Sequence, residues 1–207
     1  MTGSRRRLPR SFFARPATVV AKDLLGRTFV RILSDGKRLA ARIVETEAYE
    51  EDDAASHSYK RQTARNEVMF GKPGLLYVYF TYGMHYCMNL VTGRDGEGSA
   101  VLLRAAEPLE SLPSMRRRRK QTGEHLLCSG PARFCEAFGI GRRENGTDLA
   151  ESRAIFLEVG TSVARGHIRV APRVGIREAT EKPWRFFVKN DRFVSPGRRG
   201  VSRPSKR

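Results

Sequence analysis

Cysteine is scarce in this 207-residue chain: Cys87, Cys128 and Cys135 are the only three, an odd number without CxxC spacing. That excludes a disulfide framework and a zinc knuckle, and it fits a reducing compartment. Long apolar runs are missing too. The longest, Leu75-Leu76-Tyr77-Val78-Tyr79-Phe80, is far too short to cross a bilayer. No small-residue cleavage site follows an apolar stretch near the basic N-terminus, so a secretory leader is not expected. Acids are few: 22 Asp+Glu face 39 Lys+Arg, a net charge of +17. Hydrophobic residues nevertheless make up 40% and aromatics 9%, enough to fill a core, so a wholly disordered basic chain is excluded. The length suits one domain. The reading is a soluble, intracellular, strongly basic globular protein.

The excess charge is concentrated. Residues 1–15 and 197–207 each hold five basic residues and no acid, and Arg116-Arg117-Arg118-Arg119-Lys120 adds five more, together 15 of the net +17. The expected organisation is a basic tail over 1–7, a domain over 8–196 and a second basic tail over 197–207. Such arms track a polyanion, most simply nucleic acid, or else are solvated ends that bind many anions weakly; for the tails alone the two readings stand level. Against this background six acids fall between Glu45 and Asp53: Glu45, Glu47, Glu50, Glu51, Asp52 and Asp53. A nucleic-acid binder has little use for them unless they do chemistry or hold arginines.

Hydrophobic periodicity predicts a helix over 17–25 with Thr18 as a cap and Gly26 beyond its end. A strand over 27–33 and a turn at Ser34-Asp35-Gly36-Lys37 follow. The next strand, 38–49, would place Leu39, Ala41, Ile43, Glu45, Glu47 and Tyr49 on one face. Residues 50–74 read as a long surface loop. Strands over 75–80 and 84–91 are joined by Thr81-Tyr82-Gly83, another lies over 100–104, and 107–120 is a basic helix or loop. Ser129 suits an N-cap, Pro131 a first helical turn and Gly139 a stop. Short strands near 154–158, 168–171 and 184–188 complete a mixed α/β (α+β) single domain, mostly antiparallel, with flanking helices. Tyr77, Tyr79, Tyr82 and Tyr86 cluster in sequence. Half-buried tyrosines at a sheet edge are ordinary, but Tyr82 in a hairpin turn has little core to enter and could wedge between base pairs.

Several segments resemble the alkyladenine (3-methyladenine) DNA glycosylase family. They are Val44-Glu45-Thr46-Glu47-Ala48-Tyr49, Ala54-Ala55-Ser56-His57-Ser58, Arg61-Gln62-Thr63-Ala64-Arg65-Asn66 and Leu76 to Met84. Cys87-Met88-Asn89, Val101 to Ala105, Cys128-Ser129-Gly130-Pro131 and Arg173-Val174-Gly175 continue the likeness, in family order, across about residues 8–195. The resemblance implies a monofunctional enzyme that flips a damaged purine out of duplex DNA and hydrolyses its N-glycosidic bond. It implies Glu47 as the general base for water, with Arg104 and the backbone carbonyl of Val174 as further contacts of that water. Tyr49, His57 and Tyr79 match the lining of the base pocket, Leu102 an apolar neighbour, and Asn89 a side chain that clashes with the 2-amino group of normal guanine. Tyr82 matches the residue that fills the gap in the helix, on a protruding hairpin. Arg61, Arg65 and the Ser129-Gly130 helix start are expected to touch phosphates. The chain departs from the mammalian pattern in two places: the step from Tyr49 to His57 is one residue shorter, and His85 stands where that pattern has tyrosine.

No metal and no cofactor are expected, because the four histidines and three cysteines do not converge in sequence. The expected partner is damaged double-stranded DNA, met by a monomer without a membrane, in the cytoplasm of a bacterium or the nucleus of a eukaryote. Two other readings are open. One is a nuclease that holds Mg²⁺ on Glu45, Glu47, Asp52 and Asp53; the other is a structural nucleic-acid binder, which leaves the acidic segment without a purpose.

Overall fold

The computed structural model describes residues 6–196, so the expected tail at 197–207 and the first five residues of that at 1–7 lie outside the described residues. The end of the N-terminal stretch is docked. The Arg7 guanidinium lies over Phe156 at 3.8 Å and donates to the Ser152 carbonyl at 2.9 Å, and the Arg6 carbonyl accepts the Val159 N–H.

Two short helices, α1 (Arg10–Phe13) and α2 (Ala17–Asp23), precede β1 (Thr28–Ile32) and β2 (Arg38–Tyr49). A long loop leads to the hairpin of β3 (Leu75–Thr81) and β4 (His85–Thr92), then to β5 (Ser99–Glu110). Helices α3 (Leu112–Arg119) and α4 (Pro131–Phe138) come next, followed by β6 (Thr147–Asp148), β7 (Ile155–Glu158), β8 (Ile168–Ala171) and β9 (Arg185–Val188). Among the described residues these strands form one sheet in the order β6-β3-β4-β5-β2-β1-β7, with β9 joined to β2 and β8 to β9. Each of their pairings is antiparallel. The molecule is an α+β domain.

Strand β2 organises it. Along one edge it pairs with β5; along the other its first half meets β1 and its second half meets β9. The expectation that Leu39 through Tyr49 share one face fails at a β-bulge, where the register with β5 shifts between Ile43 and Thr46. An extra residue in one strand reverses the alternation beyond it. Leu39, Ala41 and Ile43 therefore join the main core, and beyond the bulge so does Ala48, while the Thr46 hydroxyl donates to the Ala21 carbonyl of α2 at 2.8 Å. Glu45, Glu47 and Tyr49 turn to the opposite face.

That core is closed by α2 and α4. In α4 the apolar stripe buries Phe134, Cys135, Ala137 and Phe138, and Phe134 and Phe138 meet Phe29 edge-on at 5.5 and 5.3 Å. Each fully buried phenylalanine is worth about 1.5–3 kcal/mol over exposure. At α2 the expected Thr18 cap is not made: Pro16 holds the N-cap, and the Thr18 N–H is taken by Glu50 Oε1 at 3.2 Å. Beyond its end, Gly26 has φ +84°, and a Cβ there would lie 1.9 Å from the Thr161 carbonyl, so only glycine fits. Residues 100–104 belong to a strand of twelve, and the basic run that follows is the helix α3. No described helix is long and apolar enough to cross a membrane.

Candidate active site

Strand register brings the sequence motifs together. Tyr77 pairs with Asn89, Asn89 with Leu102, Leu102 with Glu47 and Glu47 with Arg185, a row across five strands. Directly opposed residues of antiparallel strands share a face. One step along, Tyr79 pairs with Cys87. The rows floor a cleft of about 320 Å³, within the usual range of small-molecule sites. Tyr49, His57, Tyr79, Tyr82, Asn89, Leu102, Arg104 and Val174 all line it, so eight of the predicted residues meet in one place. Its aromatic wall is ordered: Tyr77 and Tyr79 stack at 5.6 Å, and the His57 ring meets Tyr79 edge-on at 4.6 Å. His57 Nδ1 lies 3.2 Å from the Tyr77 hydroxyl. Burial against this wall, and then the charge of Arg65, hold the His57 imidazole below its ordinary range.

Glu47 lies beneath the cleft, fully buried. Its Oε1 accepts the Val174 N–H at 2.7 Å and lies 3.2 Å from Arg104 Nη1; its Oε2 accepts the Tyr49 hydroxyl at 2.9 Å. Val174 thus meets Glu47 through its amide, a contact separate from the one between its carbonyl and the water that the resemblance implies. Burial pushes the Glu47 carboxyl above the ordinary carboxylate range, although Arg104, the Val174 amide and Tyr49 pull the other way. A carboxylate whose pKa is raised accepts a proton more readily than a free one. Burial likewise works against the Arg104 cation, but Glu47 and Glu45 outweigh it.

The acidic segment, odd by composition, is accounted for by its partners. Glu45 holds Arg104 and Arg185, Glu50 takes the α2 N–H and the Ser99 hydroxyl, and Glu51 accepts the Gly98 N–H. Asp53 grips Arg173 and lies 3.9 Å from Lys182. The Arg173 side chain is fully buried; it also donates to the Ala48 carbonyl and lies over the rings of Tyr49, at 4.6 Å, and Trp184, at 5.3 Å. A nuclease site would need several of these carboxylates to converge with free oxygens. Instead Glu45 and Glu47 share Arg104, Asp53 is taken by Arg173 and Asp52 is exposed at the surface, and no metal-holding group of three or more His, Cys, Asp or Glu occurs among the described residues.

The remaining predicted residues sit at the rim. Arg61 and Arg65 line a second cleft of about 330 Å³ that shares Ser56, His57 and Tyr77 with the first. Asn66 shapes this loop: its Oδ1 accepts from the Thr63 backbone and hydroxyl, and its Nδ2 donates to the His57 and Arg61 carbonyls. Ser129 is not the N-cap. Gly130 holds that position at φ +150°, while the buried Ser129 hydroxyl accepts from Arg133 at 3.1 Å. Pro131, the first residue of α4, lines the cleft beside them. Tyr82 and Gly83 form the hairpin turn, both left-handed, at φ +50° and +69°. Tyr82 is 77% exposed. A bulky side chain held at positive φ in water gains nothing from folding and costs about 1–2 kcal/mol, a mark of function rather than stability.

Sequence reasoning missed Glu45, Asp53, Arg173 and Asn66 as the groups that hold the site, and Tyr77, Met69 and Cys87 as part of its lining. The acids were visible as an anomaly, but the arginine and serine partners of Glu45 and Asp53 lie 59 to 150 residues away.

The chain is similar to known proteins along most of its length. The family described as methylpurine-DNA glycosylase matches residues 11–192. Three similar curated proteins carry the name "Putative 3-methyladenine DNA glycosylase". One from Carboxydothermus hydrogenoformans is 46% identical over 188 residues, covering 91% of this chain and 98% of its own. Others, from Methanocella arvoryzae and Streptomyces avermitilis, are 49% and 47% identical; the alignments cover 91% and 92% of this chain, and 95% and 92% of theirs.

Proposed function

Since the chain belongs to the methylpurine-DNA glycosylase family, we propose that it removes alkylated or deaminated purines from damaged duplex DNA, as a monomer, with Glu47 as general base. The observation that carries this is the Glu47 carboxylate, buried under an aromatic cleft and fixed by Val174, Tyr49 and Arg104. A base inside the duplex stack is out of reach of any side chain, so the nucleotide must turn out into the cleft, between Tyr49, His57 and Tyr79. Glu47 takes a proton from water as its oxygen bonds to C1′; the C1′–N bond breaks and its electron pair leaves with the base. The carboxylate also faces the positive charge that gathers at the sugar. Arg104 Nη1, beside the same carboxylate, orients the water. Arg61, Arg65 and the Ser129-Gly130 turn before α4 serve the phosphates, which set register and orientation without reading sequence.

Duplexes carrying single lesions, 3-methyladenine, 7-methylguanine, hypoxanthine or ethenoadenine, test the reading after alkali reveals abasic sites. Base release that is insensitive to chelator is expected. Chelator-sensitive strand cleavage without base release would instead establish the nuclease reading.

Two substitutions probe its parts. Asn89 is buried in the floor between Tyr77 and Leu102, where its amide would meet a purine 2-amino group. Asn89→Ala is expected to raise guanine release from a mismatch relative to hypoxanthine release; an unchanged ratio removes Asn89 from discrimination. Tyr82→Ala should lower the flipped fraction by about 1–3 kcal/mol of lost stacking, most for a well-paired lesion and least for a mismatched one. Ethenoadenine fluorescence in stopped flow reads that step directly. Complete flipping with slow cleavage would move Tyr82 from wedge to pocket.

A further inference from the structure

We propose that Glu45 is a positioning residue for excision, which holds the Nε edge of Arg104 so that only Nη1 of that guanidinium meets Glu47. The proposal rests on Glu47 being the general base. Glu45 is fully buried and both its oxygens are engaged. Oε1 accepts Arg104 Nε at 3.1 Å and Arg185 Nε at 2.6 Å, and Oε2 accepts the Ser195 N–H at 2.7 Å. Arg104 is therefore gripped from behind, with Nη2 3.4 Å from the Ser195 hydroxyl and Nη1 3.2 Å from Glu47.

The alternative arrangement explains why this matters. An arginine facing one carboxylate alone closes into a two-pronged pair, the strongest form of that contact. Closed in that way on Glu47, it would occupy the oxygens that must take the proton and would stabilise the carboxylate against accepting it. Glu45 diverts the fork. It also places a second negative charge on the Glu47 side of β2, beyond the bulge, and so divides the Arg104 charge between two acids.

The groups that face this pair come from every neighbouring element. Arg104 stands on β5, Arg185 on β9 and Tyr49 on β2 itself. Arg173 approaches through the Tyr49 ring, and Cys87 of β4, Tyr79 of β3 and His57 of the long loop line the cleft around them. Of these, Arg104 and Arg185 are cations in contact with Glu45. Without Glu45 both would act on Glu47 uncompensated.

The test is single-turnover excision of hypoxanthine at saturating enzyme, followed against pH. Glu45→Gln is expected to lower the plateau rate about tenfold, one factor of ten for each 1.4 kcal/mol of barrier. Its acid limb should move about one unit toward lower pH, because a nearby negative charge has gone. Glu45→Asp, which keeps the charge, should leave the limb in place. Arg185→Gln removes a cation instead and should move the limb toward higher pH, which keeps the test open if Glu45→Gln does not fold. A lower rate with an unmoved limb in both Glu45→Gln and Arg185→Gln, or no change in either, overturns the proposal. Glu47→Gln separates the two readings: if it is inactive while those limbs stay put, only the Glu45 role falls. If Glu47→Gln excises like the parent, the general-base reading falls with it.

Discussion

Glu47→Gln is expected to stop base excision while leaving affinity for an abasic-site analogue nearly intact. The amide keeps the size of the carboxyl, and its oxygen can still accept the Val174 N–H. What it cannot do is take a proton from water. Loss of general-base function alone costs about 10²–10⁴-fold, and the amide also withdraws the negative charge that faces the sugar as the base departs. Single-turnover kinetics on one lesion, with binding measured in parallel, separates these from a folding defect. In the parent enzyme, activity should fall as pH drops through the Glu47 pKa. Burial raises that value, so the fall should begin above the range of a free carboxylate. Residual excision close to that of the parent would remove Glu47 from the chemistry.

Asp53→Asn is expected to destabilise the fold by about 3–5 kcal/mol, the usual cost of leaving one member of a buried ion pair without its partner. Arg173 would be stranded at the centre of the loop that carries Val174. Its remaining hydrogen bonds are to the carbonyls of Ala48 and Ala179, neither of which carries a charge. Removing both charges together, as Asp53→Leu with Arg173→Met, should cost much less, since apolar groups of similar volume replace a buried pair with little loss. Chemical denaturation of the single and double variants gives the comparison. A loss below about 1 kcal/mol for Asp53→Asn, the level of an exposed pair, would show that solvent reaches the site.

The local parts of the fold were legible and the long-range parts were not. Pro131 and Gly139 bracket a helix, Ser34 to Lys37 a turn, and alternation marks the strands, because each of these signals lies within a few residues. The bulge in β2 leaves no such mark. It follows from pairing with β5, about sixty residues away, and alternation taken from β2 alone therefore put Leu39 and Glu47 on one face. The same limit governs the site. Its residue types could be named from motifs, but the row from Tyr77 to Arg185 exists only once five strands are in register. The reasons for Glu45, Glu50 and Asp53 were out of reach too, since a carboxylate in sequence does not announce which distant donor it will meet. Ser129 was misjudged as a cap for a related reason: Arg133, one helical turn later, takes its hydroxyl, and Gly130 can reach a backbone angle that serine cannot.

The bulge also bears on how this strand can change over generations. A strand that alternates without interruption tolerates a two-residue slip, because every second residue has the same job. Here the two halves of β2 point opposite ways, the odd-numbered residues filling the core before the bulge and facing the cleft side after it, and Val44 is the spacer between them. Losing the bulge with Val44 retained would restore perfect alternation and turn both glutamates to the face of Leu39, Ala41 and Ile43, whereas deleting Val44 together with the bulge would leave them where they are. Point substitutions in β2 can be explored one at a time, whereas a one-residue insertion or deletion between Ile43 and Thr46 has to be matched by the gain or loss of a bulge. The coupling between the length of this strand and its bulge is thus a more stringent inheritance than most of its letters.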